Sequence, residues 1–103
     1  MTSALSDEIE SRRADIAGIC ARLGVRRLEL FGAAPRSGSP RALDFLVDLG
    51  DLPPREYAAA YFALRAQLEA LFARPVELVT PRGLANAYSR QRVEQEKTLL
   101  YAA

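Results

Sequence analysis

Residues 25–49, VRRLELFGAAPRSGSPRALDFLVDL, contain two apolar runs joined by a loop, and they decide the fold of this chain. In the first run, residues 25–31, Leu28 and Leu30 point one way and Arg27, Glu29 and Phe31 point the other, which predicts a strand. Residues 32–41 hold two glycines, two prolines and two serines within ten positions. That composition predicts a loop, so we expect a strand, a loop and a second strand in this order.

The second run, residues 43–49, has the most regular strand pattern in the chain. Because successive side chains of a strand point to opposite sides, Asp44 and Asp48 share one face with Leu46. The opposite face is entirely apolar and consists of Leu43, Phe45, Val47 and Leu49. We therefore predict a strand that packs one face on the core and presents two carboxylates on the other.

The rest of the chain predicts helices and one further strand. Apolar residues at spacings of three, four and seven predict a helix over residues 6–23. Gly24 follows this helix, at a position where a left-handed residue commonly ends one. The later predicted elements are a turn at 50–54, a helix up to residue 72, a strand at 76–80, a helical turn at 81–86 and a last helix at 89–101.

This order of elements predicts an α/β (α+β) fold, in which helices flank a small mixed sheet of three or four strands. The length of 103 residues fits one compact domain, so we expect a single domain over residues 1–103. Half of the residues are hydrophobic, which is enough for a core without disulfides.

The charge and the rare residue types exclude several classes of function. The chain has 14 basic and 13 acidic residues, for a net charge of +1, and this balance gives no strong nucleic-acid signal. It has no histidine and one cysteine, Cys20, which excludes histidine-dependent nucleophilic catalysis, histidine-bound zinc and an intramolecular disulfide. No segment is typical of a signal peptide or a membrane span, so we expect a cytoplasmic protein.

Four segments, taken in order, resemble the minimal nucleotidyltransferase family of the polymerase-β-like superfamily. In that family the first strand ends in L-F-G-S, a loop follows, the second strand carries D-x-D, and the third strand carries a further acid. The matching segments are GVRRLELFG at 24–32, residues 43–47, RPVELVT at 74–80 and EKTLLYAA at 96–103. The resemblance covers nearly the whole chain and implies the polymerase-β-like nucleotidyltransferase fold.

The resemblance also implies a site for Mg²⁺ and for ATP or another nucleoside triphosphate. Asp44 matches the second aspartate of D-x-D and Glu77 takes the place of the third acid. Both are therefore candidate catalytic residues and metal ligands, since carboxylates hold the Mg²⁺ that bridges phosphate oxygens. Gly32 matches the motif glycine, and together with Ala33 and Arg36 it forms the candidate nucleotide-binding segment.

The motif is degenerate at two positions that carry chemistry in the family. Ala33 stands where the motif has serine, and Ala42 stands where it has the first aspartate. Alanine cannot ligate a metal, and the missing hydroxyl removes a hydrogen-bond donor to phosphate. We therefore predict impaired or absent transferase activity, with one-metal or nucleotide-only binding retained.

Three functions remain open at this stage. The first is a working or weakened nucleotidyltransferase, of the antitoxin-like kind that accompanies an all-helical HEPN-type partner and in some cases adds AMP to it. The second is a pseudoenzyme that binds a partner or a nucleotide without turnover. The third is an unrelated small α/β domain with a structural role. A homodimer is a further candidate assembly.

Each candidate residue also has a plain structural interpretation. Asp44, Asp48 and Glu77 are acids of a type that commonly faces solvent on a half-exposed strand. Tyr57 and Tyr61, spaced by four, fit core or partner-facing positions of a helix. Cys20, on an apolar helix face, fits a small buried residue better than a nucleophile.

Overall fold

The computed structural model describes residues 4–31, 43–81 and 98–103, which form two helices and four strands. No described helix has both the length and the apolar character needed to cross a membrane. The elements in chain order are α1 (Ala4–Leu23), β1 (Arg27–Phe31), β2 (Leu43–Asp48), α2 (Pro54–Phe72), β3 (Val76–Val79) and β4 (Thr98–Ala102).

The four strands form one mixed sheet in the order β3-β2-β1-β4. Strand β1 lies in the middle and pairs antiparallel with both β2 and β4, while β2 and β3 are parallel. The β1–β4 register shifts between Leu28 and Glu29, as it does at a β-bulge. The prediction of a small mixed sheet flanked by helices is confirmed, with four strands.

The strand registers divide the sheet into a face that α1 and α2 cover and an open face, on which no described helix packs. Leu28 is the partner of Val47, and Leu43 is the partner of Val76, so these side chains share the face on which both helices pack. The core on that face also contains Phe45, whose ring centroid lies 6.2 Å from that of Phe72 on α2. The main core members are Ile9, Ile16, Ile19, Cys20, Val25, Leu28, Leu43, Phe45, Val47, Leu64, Leu68, Phe72, Val76, Leu78 and Leu100.

Both helices end at a residue with positive φ. Gly24, with φ of 72°, follows α1, and the amide of Val25 donates to the Cys20 carbonyl at 3.0 Å, as in a Schellman motif. Helix α2 begins with Pro54, where a missing amide donor costs little, and ends before Ala73, whose φ is 54°. The left-handed conformation is unfavourable for a residue with a Cβ, so Ala73 is a strained position.

The prediction of a last helix over residues 89–101 is wrong at its C-terminal end. Residues 98–101 were expected to be helical, whereas Thr98–Ala102 form β4 beside β1. A short apolar run such as TLLYA has no period that separates a helix from a strand. Its pairing with β1, about 70 positions away in the sequence, decides the outcome. Residues 89–97 of that prediction, and 82–86 of the predicted helical turn, lie outside the described residues.

The other elements agree closely with their predictions. Helix α1 begins two residues before the predicted start, and both helices end where expected. Cys20 is fully buried, and burial raises the pKa of its thiol to about 11, so the prediction of a small buried residue is confirmed. Tyr57 and Tyr61 are partly buried against the core.

Candidate functional site

Two of the predicted site residues, Asp44 and Glu77, lie side by side on the open face of the sheet. They are register partners in the parallel β2–β3 pair, and neighbouring strands lie about 4.8 Å apart. The amide of Leu43 donates to the Pro75 carbonyl at 3.0 Å, which holds the two strand ends together just before the acids. The fold therefore places two carboxylates, 33 positions apart in sequence, in one small area.

The two carboxylates differ in their contact with solvent. Asp44 is half-buried, whereas Glu77 is exposed. A partly buried carboxylate interacts more strongly with a bound cation than an exposed one, because less water screens it. Asp44 is therefore the stronger candidate ligand, whereas Glu77 has an exposed side chain on an edge strand.

Glu29 is an acidic residue of the open face that the sequence did not single out. It lies in β1 opposite Leu46, two register positions from the pair that contains Asp44, and only 4% of its surface is exposed. The Arg27 side chain donates from Nε to Glu29 Oε1 at 3.1 Å. An acid in the middle of β1 was the available signal, but the sequence does not show that Glu29 is buried, because its burial depends on the register with β2.

Two further acids, Asp48 and Asp51, lie towards the other end of β2. Asp48 is four residues from Asp44, about 13 Å along the strand, and its Oδ1 accepts a hydrogen bond from the Gly50 amide at 2.8 Å. Both acids line a cleft of about 620 Å³ together with Tyr57 and Thr80. Asp48 thus stabilises the turn before α2 and is too far away to supply the carboxylate missing at position 42.

A cleft of about 360 Å³ lies beside Glu77, between α2 and the edge strand β3. Tyr61 and Arg65 of α2 line it opposite Val76 and Leu78. The Tyr61 hydroxyl donates to the Leu78 carbonyl at 2.9 Å, and the Val76 amide donates to Glu69 Oε2 at 3.0 Å. These two side-chain bonds hold β3 against α2 and so determine where Glu77 lies.

The donor set fits one magnesium ion rather than two. Mg²⁺ in phosphate sites is commonly held by one or two carboxylates, with phosphate oxygens and water completing an octahedron. Asp44 and Glu77 supply that number. Across residues 4–31, 43–81 and 98–103, no group of three or more acidic or cysteine side chains is arranged to hold a metal.

The remaining predicted site residues belong to the segment between β1 and β2. Gly32, Ala33 and Arg36 lie outside the described residues, as does Ala42. In sequence, Gly32 directly follows Phe31, the register partner of Asp44, and Ala42 directly precedes β2. Their proposed roles in nucleotide binding stay predictions.

Comparison with known proteins gives matches among solved structures. No family model matches the chain, and no curated protein matches its sequence. A variant of the toxin–antitoxin MntA–HpeT is 17% identical with a TM-score of 0.60, over 88% of this chain and 73% of that one. A protein from Shewanella oneidensis is 16% identical with a TM-score of 0.59, over 91% and 72%. At these identities the two matches establish the fold alone.

A third structure is similar in sequence as well as in fold. It is assigned as a minimal nucleotidyltransferase and is 30% identical to this chain, with a TM-score of 0.63. The match covers 89% of this chain and 92% of that one, so the two proteins correspond over almost their whole lengths. The four-stranded mixed sheet and the acids on its open face agree with this assignment. The chain belongs to the minimal nucleotidyltransferase family.

Proposed function

We propose that this chain binds a magnesium–nucleoside triphosphate on the open face of its sheet and acts as an antitoxin-type subunit with weakened nucleotidyl transfer. The observation that carries the proposal is the register pairing of Asp44 with Glu77 on the face opposite the helices. Family membership removes the alternative of an unrelated structural domain.

Asp44 and Glu77 would hold the metal, and the segment after β1 would hold the phosphates. The metal would neutralise phosphate charge and orient the triphosphate. Gly32 has no Cβ, so the backbone there can approach phosphate oxygens closely, and Arg36 supplies a cation that pairs with phosphate. ATP is the expected nucleotide because the family resemblance implies it.

The transfer step would move AMP to a hydroxyl of a partner protein. The hydroxyl oxygen attacks the α-phosphorus of ATP, pyrophosphate leaves with the electrons of the broken P–O bond, and the hydroxyl proton passes to solvent. Ala42 contributes no carboxylate and Ala33 no hydroxyl. We therefore infer that the reaction is slow or absent while nucleotide binding persists.

Ala42 and Ala33 also favour a second candidate, a pseudoenzyme that serves as a partner-binding module. A fold does not guarantee the chemistry of its relatives. In either case we propose an all-helical HEPN-type partner, because one structural neighbour is named as part of a toxin–antitoxin pair. A cytoplasmic location suits a chain whose lone thiol is buried and unpaired.

Calorimetric titration with ATP in the presence of Mg²⁺ tests the nucleotide proposal. We expect the wild-type chain to bind and Asp44→Asn to lose most of the affinity. Asp48→Asn is the matched control, because it removes a charge from the same strand and face while its side-chain oxygen can still accept from Gly50. Absence of binding by the wild-type chain would leave only the partner-binding module.

Restoring the two lost groups tests the proposed cause of weak transfer. We expect the double variant Ala33→Ser/Ala42→Asp to transfer labelled AMP to a cognate partner faster than the wild type does. If the double variant binds Mg²⁺–ATP but transfers no faster, the loss of activity has another cause than these two side chains.

A further inference from the structure

Helix α2 has an exposed apolar face centred on Phe62. The Phe62 side chain is 60% exposed, which is unusual for a large aromatic residue. Ala59 and Ala66, at spacings of three and four from Phe62, are exposed on the same side of the helix. The opposite side of α2 packs into the core through Ala60, Leu64, Leu68 and Phe72.

Over residues 7–23, the other helix presents no comparable exposed aromatic residue. The exposed residues of α1 are mostly charged or polar, among them Asp7, Glu10, Arg12 and Asp15. An apolar surface on one of two otherwise comparable helices is typical of a face that a protein covers. The ring of Tyr61 packs edge-on against Phe62 at 5.3 Å, and so holds the Phe62 ring in place.

Two opposite charges lie at equal distances from Phe62, and Arg65 lies between Phe62 and one of them, Glu69. Arg55 lies seven residues before Phe62 and Glu69 lies seven residues after it, or about 10.5 Å in each direction along the helix. Two α2 helices packed antiparallel with Phe62 at the centre therefore bring Arg55 of each copy opposite Glu69 of the other. Arg55 occupies the first turn of α2, where the helix dipole disfavours a cation, and a facing carboxylate would offset this.

We propose that a second copy of this chain covers the α2 face, with the two helices antiparallel about a two-fold axis at Phe62. The rings of Phe62 then stack on each other, and Ala59 of one copy lies beside Ala66 of the other. Small side chains at these positions let the helices approach closely. Glu69 Oε2 accepts from the Val76 amide and lies 3.9 Å from Arg65 Nε, and a carboxylate has a second oxygen, so Glu69 Oε1 can accept from Arg55 of the second copy.

The contact area indicates a weak dimer. A helix of 19 residues is about 28 Å long and about 10 Å wide. The area of one helix face, the product of these two lengths, is therefore well below the ~800 Å² that each partner of a stable complex buries. The Asp44–Glu77 pair lies on the other face of the sheet, so this dimer leaves it accessible. The inference therefore does not depend on the proposed nucleotide binding.

Sedimentation velocity over a range from low micromolar to millimolar protein tests the dimer. We expect the wild type to associate as concentration rises and Phe62→Glu to stay monomeric, because it places two carboxylates together at the axis. Leu99→Glu is the matched control, since Leu99 is the other large exposed apolar residue of the described chain, at 43%. It should associate like the wild type. A wild type that stays monomeric, or an unaffected Phe62→Glu variant, overturns the proposal.

Disulfide trapping tests the antiparallel register while keeping Phe62. A double Ala59→Cys/Ala66→Cys variant should form covalent dimers under mild oxidation, because each new thiol faces its counterpart on the other copy. In the single variants the equivalent thiols lie about 9 and 12 Å apart along the helices, beyond the ~7 Å Cα separation that a disulfide spans. Cys20 is buried and does not compete. Equal trapping of the single and double variants contradicts the register.

Discussion

Removing Glu8 and removing Arg74 should have unequal effects on stability, although the two side chains form one ion pair. Arg74 Nη2 lies 2.8 Å from Glu8 Oε1, with 16% of the Arg74 side chain and 26% of the Glu8 side chain exposed. This pair joins α1 to the start of β3, three residues before Glu77. Arg74 Nη1 is buried and has no hydrogen-bond partner among the described residues.

The asymmetry follows from what each substitution leaves behind. Glu8→Ala leaves a mostly buried guanidinium without its counter-charge. Breaking a fully buried pair in this way costs about 3–5 kcal/mol. Because both side chains keep some contact with water, we expect about 1.5–3 kcal/mol. Arg74→Met removes the charge and the unsatisfied Nη1 while it keeps most of the apolar stem, so we expect a cost below about 1 kcal/mol.

Urea denaturation of the two single variants and the double variant measures these costs. Each kcal/mol lost should also lower the Tm by about 4–8 °C for a chain of this size. The double variant should be about as stable as Arg74→Met, because Glu8→Ala destabilises the fold by leaving the Arg74 guanidinium unpaired. If Arg74→Met is as destabilising as Glu8→Ala, the pair stabilises the fold by itself and the reasoning from desolvation is wrong.

Four other substitutions test separate parts of the structure. Ala73→Gly should stabilise the fold by about 0.5–1 kcal/mol in urea denaturation, because glycine adopts the left-handed conformation without the Cβ penalty. The pKa of Cys20 is raised from 9.0 to about 11, so the stability linked to its protonated thiol is present below pH 9 and lost as pH rises towards 11. Between pH 9 and pH 11, the free energy of unfolding of Cys20→Ala should therefore fall less than that of the wild type. Asp44→Asn should weaken Mg²⁺–ATP binding by about 10- to 150-fold, from ~1.5–3 kcal/mol for a contact to a charged group, whereas exposed Glu77→Gln should weaken it less in calorimetry.

The elements that were predictable from sequence are those with a strong local pattern. The alternation in β2 indicated its two faces, and Gly24 indicated the end of α1. Strand β4 was mistaken for a helix because only its pairing with β1 defines it. Long-range pairing of this kind leaves no periodic trace in a five-residue apolar run.

The site was predictable to the level of residue types but not of geometry. The resemblance pointed to Asp44 and Glu77, and the parallel β2–β3 register brings them together. The burial of Glu29 opposite Leu46 depends on the β1–β2 register, which one sequence does not reveal. The exposed face around Phe62 was also missed, since helical periodicity indicates which side can be buried but not which aromatic residue stays outside.

Paramagnetic broadening by Mn²⁺ in the presence of ATP tests whether a metal–nucleotide complex binds beside Asp44 and Glu77. Mn²⁺ substitutes for Mg²⁺ at oxygen sites and broadens the amide resonances nearest to it in spectra of the ¹⁵N-labelled chain. We expect the amide resonances of Asp44 and Glu77 to broaden first, before those of Asp48 and Asp51. Broadening centred on Asp48 and Asp51, or no selective broadening at all, would contradict a nucleotide site on this face of the sheet.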